Sequence, residues 1–153
     1  MSALCLGVGG CGPKLSKPAK ELLIGTWAMQ IELDDDKFEN MLRKTGKKPE
    51  DNPKATDLAK SLMVGLKYSL TLTADGTYEE ISVMPGQRKK TINGTWEVIN
   101  EDASVVTYKM TEKTGVETQT ASFRNDDEFE WAADSDLPQE LPLKTPIVFK
   151  RQK

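Results

Sequence analysis

Gly25-Thr26-Trp27-Ala28-Met29-Gln30-Ile31-Glu32-Leu33 is the stretch from which the fold can be worked out. Trp27, Met29, Ile31 and Leu33 alternate with Thr26, Ala28, Gln30 and Glu32, so an extended chain here has one apolar side and one polar side. The opening tripeptide returns twice, as Gly76-Thr77-Tyr78 and as Gly94-Thr95-Trp96. Glycine permits a positive-φ turn or a close backbone approach, threonine suits the outer face of a pleated strand, and the aromatic ring points the other way, into a core. Repetition of that unit predicts a coiled antiparallel sheet.

Outward from this stretch, the first strand is predicted over 22–33. Asp34-Asp35-Asp36 cannot continue it: the run supplies a helix cap and favourable first-turn charge, with Phe38, Met41 and Leu42 at helical spacing and Gly46 as the stop. Asn52-Pro53 opens a second helix, cap and then proline. Its Leu58, Leu62 and Leu66, four apart, are expected to form a buried stripe. Further strands are predicted over 67–73, with Tyr68, Leu70 and Leu72 buried, and over 77–84, 89–99, 103–110, 116–124, 128–133 and 147–151. Turn residues separate them, among them Asp75-Gly76, Pro85-Gly86 and Thr114-Gly115. Gly94, inside a long strand, suggests a bulge or a sharp coil.

Eight short strands joined mostly by hairpins favour an up-and-down barrel over a sandwich, since closure removes exposed edges. The expected fold is therefore mostly β: an eight-stranded antiparallel up-and-down barrel over 21–153, with a helical pair inserted between its first and second strands. Eight strands enclose room for packed side chains or for one small ligand. Strand 77–84 carries Tyr78, Glu80, Ser82 and Met84 on one face. Strand 116–124 is mixed in the same way, so a partly polar cavity and a filled barrel both remain open.

At 153 residues the chain suits one domain, and 37% hydrophobic with 29% charged residues reads as globular. A formal net charge of -3 gives no basic footprint for nucleic acid, and Gln87-Arg88-Lys89-Lys90 reads as a solvated hairpin. The absence of histidine removes the Ser-His-Asp triad, the commonest general base at neutral pH and every histidine-based zinc or haem site. Two cysteines, Cys5 and Cys11, cannot complete a four-ligand metal site. Asp34-Asp35-Asp36 lacks the alternate spacing of a calcium loop, and Asp134-Ser135-Asp136 lacks further ligands. Glu79 and Glu80 lie on opposite faces of one strand and cannot flank a bond together. No metal, cofactor or catalytic residue is assigned, and the expectation is a non-enzymatic protein.

Residues 1–20 form a separate segment. Residues 2–12 are small and apolar without a charge, and Lys14, Lys17 and Lys20 follow among Pro13 and Pro18. The apolar part is shorter than the ~20 residues of a membrane-spanning helix. A glycine-rich terminal tail and the remnant of an export signal followed by a tether are both open readings.

Leu23-Ile24-Gly25-Thr26-Trp27 resembles the Gly-x-Trp opening strand of the calycin superfamily, which includes lipocalins and fatty-acid-binding proteins. With Asp75-Gly76-Thr77-Tyr78 and Gly94-Thr95-Trp96 in later hairpins, the chain is similar to bacterial lipocalin-like domains of small lipoproteins. The resemblance implies that Trp27 closes one barrel end, with Arg151 or Lys150 lying across it. The helical pair is similar to the lid of fatty-acid-binding proteins, which have ten strands where this pattern has eight. Val8-Gly9-Gly10-Cys11 resembles a lipobox, which implies lipidation at Cys11 and attachment to a bacterial membrane in the cell envelope. The functional expectation is binding of a small apolar or amphipathic ligand, with Tyr78, Trp96, Tyr108 and Phe123 as wall residues and Glu80 as a candidate polar contact. The second reading is a filled barrel that binds another envelope protein through its loops.

Overall fold

The computed structural model describes residues 12–131 and 142–153. Cys11, with the lipobox-like residues before it, and Asp134-Ser135-Asp136 lie outside the described residues. Eight strands follow one another around a closed antiparallel barrel: β1 (Gly25–Gln30), β2 (Lys67–Leu72), β3 (Thr77–Val83), β4 (Lys90–Asp102), β5 (Val105–Glu112), β6 (Gly115–Asn125), β7 (Glu128–Trp131) and β8 (Val148–Arg151). Three α-helices accompany them among the described residues: α1 (Ala19–Leu22), α2 (Asp35–Lys44) and α3 (Pro53–Val64). The ring closes at β1, where Trp27 stands opposite Leu70 of β2 and Arg151 of β8. This is the up-and-down, lipocalin-like arrangement expected from the alternation, with the helical pair in the expected place.

The three Gly-Thr-aromatic units use glycine in two ways. Gly25 and Gly76 have φ of 143° and 86°, values that a side chain would strain. Gly94 instead leaves room for the ring of Tyr78, which stands directly opposite it. The ladder therefore runs in register through Gly94, and the bulge expected there falls between Val98 and Asn100, at Ile99, whose side chain is exposed. The threonines face outward, as Thr26 Oγ1 and Thr71 Oγ1 show by meeting at 3.0 Å across β1 and β2.

The chain joins the barrel earlier than a strand over 22–33 implies. Pro18 starts the short α1, its carbonyl accepting from the Glu21 and Leu22 amides, and Ala19 and Leu22 are buried. That helix spans the expected boundary between residues 20 and 21. β1 ends at Gln30, but the chain stays extended a little further, through an isolated bridge between Leu33 and Leu143.

In the helical pair the caps are as read. Asp34 Oδ1 accepts from the Lys37 amide at 3.0 Å, and Asn52 Oδ1 accepts from the Ala55 amide at 3.1 Å ahead of Pro53. The buried stripe is not. Leu58 is 63% exposed and Leu62 43%, and the half-buried positions are Thr56, Ala59, Lys60 and Met63. The rotation follows from α2: Phe38 is buried with the Lys60 ammonium 5.8 Å from its ring centre, and Lys60 Nζ lies 3.2 Å from Asp35. Phe38 is not part of the barrel's core cluster, so the pair packs largely on itself. Asn52→Ala should weaken α3 by about 1 kcal/mol. Amide exchange is expected to quicken over 53–64 and to stay unchanged in the barrel strands.

Candidate functional site

The two barrel ends differ in chemistry. At one, Trp27 is fully buried, 4.7 Å from Phe129 and 5.8 Å from Phe123 between ring centres, and Phe129 stacks on Phe149 at 5.0 Å. The Arg151 guanidinium carbon lies 4.3 Å from the Trp27 ring centre. Its nitrogens donate to the Leu22 carbonyl at 2.8 Å, to Asp126 and Ile24 carbonyls at 3.0 and 3.1 Å, and to Asp127 Oδ1 at 3.0 Å. One side chain thus ties the entering segment, the β6–β7 turn and the first-strand tryptophan together. Lys150, the alternative, is exposed.

The other end carries the polar groups. Leu70, Glu80 and Ile92 form one cross-strand row over β2, β3 and β4, and because Leu70 is in the core, Glu80 faces inward. Tyr68, Ser82 and Lys90 form a second inward row, toward the helical pair. Across the barrel, Trp96, Met110 and Glu117 are aligned on β4, β5 and β6, and Tyr108 stands opposite the buried Gln119. Rings connect the two sides. Trp131 Nε1 donates to the Tyr108 hydroxyl at 3.0 Å, Trp96 meets Tyr108 edge-on at 6.4 Å, and Tyr68 meets Trp131 at 6.4 Å. Tyr68, Glu80, Ser82 and Ile92 face inward yet are only half-buried, so solvent reaches the interior along β2–β4.

A cleft of about 430 Å³ lies on the outer face of this side of the barrel, where the end of α3 meets Ala28 and Gln30 of β1, Lys67 and Ser69 of β2, and Ile81 and Val83 of β3. Met29, Ile31, Val64, Leu66, Tyr68 and Ile81 supply its apolar lining. Gly65, at the end of α3, sits against Pro85 of the β3–β4 turn, which brings the helix up to this side of the barrel.

Burial pushes the Glu80 carboxyl above its usual range; a hydrogen bond with Tyr68 opposes the shift, Glu117 and Glu112 add to it, and Lys90 opposes it. Burial likewise raises the Tyr68 and Tyr108 phenols, and takes Tyr78 up to about 12, with Glu80 adding to each. A carboxyl whose pKa is raised on folding holds its proton more tightly in the native state, so its contribution to stability declines as pH rises from the ordinary carboxylate value through the folded one. Glu80→Gln is therefore expected to raise the thermal midpoint at pH 7. The gain should vanish below the ordinary carboxylate range.

Of the expected wall residues, Trp96 and Tyr108 meet directly, and Glu80 faces the same interior. Tyr78 is buried opposite Gly94, and Phe123 packs with Trp27 and Phe129 at the sealed end. Two members of the inner ring network were not singled out as site residues. The sequence marks Tyr68 only as one apolar position of its strand, and Trp131 only as lying within the strand expected over 128–133. Among the described residues, no group of three or more Cys, Asp or Glu side chains is placed to hold a metal ion.

No family model matches the chain, and no curated protein matches it. Among solved structures the chain is similar to As-p18, an extracellular fatty acid binding protein, at 13% identity with a TM-score of 0.36, over 89% of this chain and 100% of that one. The class is defined by the strand order itself: a closed, eight-stranded, antiparallel up-and-down β-barrel.

Proposed function

We propose that this barrel is a non-enzymatic binding domain for a small apolar or amphipathic molecule, taken up at the end opposite Trp27. The observation that carries the reading is the half-buried inward row of Tyr68, Glu80 and Ile92, in a barrel whose other end is filled by rings. Apolar walls with a few convergent polar groups are the usual make-up of small-molecule sites. The helical pair, inserted between β1 and β2 and packed largely on itself, serves as the lid. In this reading Cys11 carries a lipid that holds the domain at the outer face of a bacterial membrane, with the Lys- and Pro-rich run after it as the tether. Mass spectrometry of protein purified without detergent tests both parts. A retained apolar molecule and a diacylglyceryl adduct on Cys11 are the expected results, and an unmodified, empty protein overturns them.

A second reading, docking of another envelope protein, has its own support. α3 presents Leu58, Leu62 and Val64 to solvent. Pull-down from an envelope extract separates the two. A specific protein lost on Leu58→Ser with Leu62→Ser favours docking, and co-purified lipid unaffected by that change favours the ligand.

A further inference from the structure

We propose that the barrel selects apolar molecules bearing a protonated amine and disfavours fatty-acid carboxylates. This rests on the ligand-binding reading above and specifies its chemistry. Three carboxylates lie at register positions of inward parity toward the open end: the half-buried Glu80 on β3 and Glu112 at the end of β5, and the solvent-exposed Glu117 on β6. Glu80 is the deep one, set between Leu70 and Ile92. The cations on inward positions among the described residues are poorly placed to answer it. Lys90 is exposed at the very start of β4, and Arg151 is engaged at the sealed end by four oxygens and the Trp27 ring.

A carboxylate ligand would come to rest beside Glu80 with only the exposed Lys90 ammonium near it, which Glu80 already draws on, and two like charges in a desolvated space cannot both stay ionised. An ammonium head removes that conflict and neutralises the buried acid. The walls favour the same sign of charge. Tyr68, Trp96, Tyr108 and Trp131 surround this interior, and aromatic faces attract cations. Burial and the neighbouring carboxylates already hold the Glu80 carboxyl above its usual range, so a bound cation should pull it back down.

Three twelve-carbon probes that differ only in the head group provide the test: dodecylammonium chloride, dodecanol and sodium dodecanoate. Each is titrated below its micelle concentration at pH 7, with tryptophan fluorescence and calorimetry as readouts. The expected order is dodecylammonium tightest, about tenfold or more over dodecanoate, with dodecanol between them. Glu80→Gln should bring dodecylammonium and dodecanol to within about threefold of each other. Glu79→Gln, on the same strand but facing outward opposite Thr71 and Asn93, should keep the preference, which separates a specific contact from attraction to the protein's overall negative charge. Dodecanoate binding as tightly as dodecylammonium overturns the proposal, as does an amine preference that survives Glu80→Gln or is lost equally in Glu79→Gln. Binding of dodecanol or dodecanoate without amine preference overturns this inference alone, and no binding of any probe overturns the ligand-binding reading with it.

Discussion

Trp27→Ala is expected to lower the free energy of unfolding by about 3–5 kcal/mol, measured by denaturant titration. Trp27 is fully buried, and its neighbours belong to four different parts of the chain: Phe123 on β6, Phe129 on β7, Arg151 on β8, and Leu23, whose carbonyl accepts from the indole at 2.9 Å. Removing the ring leaves a cavity that these groups cannot fill together, because Phe129 is also held against Phe149 and Arg151 by its carbonyl partners. The buried Leu23 carbonyl also loses its donor, which adds a desolvation cost. Arg151→Ala should cost less, since its contact with the ring is a cation-π interaction of about 0.5–2 kcal/mol and its side chain fills no deep core space. A Trp27→Ala loss below about 1 kcal/mol would mean that the sealed end is not the barrel's main core.

Gly94→Ala should destabilise by about 1–3 kcal/mol despite adding one methyl group to a strand that ordinarily prefers it. A β-carbon there would clash with the Thr111 carbonyl oxygen on β5 and stand 2.6 Å from Tyr78 Cε1. The first is backbone in the β4–β5 ladder and the second belongs to a buried ring, so neither can swing aside. Gly115→Ala makes the control: nothing lies within 4 Å of its added carbon, and its effect should stay within about 0.5 kcal/mol. Equal midpoints for the two variants would rule out the close-approach account of Gly94.

How much was legible in the sequence follows from the range of each interaction. Caps at Asp34 and Asn52 are local: a side chain bonds an amide three residues on, so reading neighbours is enough. Alternation in β1 and β2 is also local, and it placed Trp27, Leu70 and Leu72 inside. The Leu58, Leu62 and Leu66 stripe failed because periodicity shows that a helix has an apolar side without showing where that side points. Its rotation depends on Phe38, Lys60 and Asp35, which pair two helices. Of the two alternatives at Gly94, a bulge or a sharp coil, the bulge fails for a similar reason. Gly94 was read from its own strand, whereas its role is set by a tyrosine on the next.

The candidate site divides along the same line. Trp96, Tyr108 and Glu80 could be named from faces of single strands, but the network that joins them required Tyr68 and Trp131 from β2 and β7. The choice of Arg151 over Lys150 needed the closing β1–β8 pair, whose partners are more than a hundred residues apart in sequence. By itself the sequence determined strand number, helix insertion, caps and the type of sheet, because these rest on contacts within a few residues. Tertiary structure decided which end is sealed, which way α3 turns its leucines, and that Glu80 sits half-buried on the inward face with Tyr68 and the exposed Lys90 as its neighbours. Those depend on cross-strand register and barrel closure, which no single segment encodes.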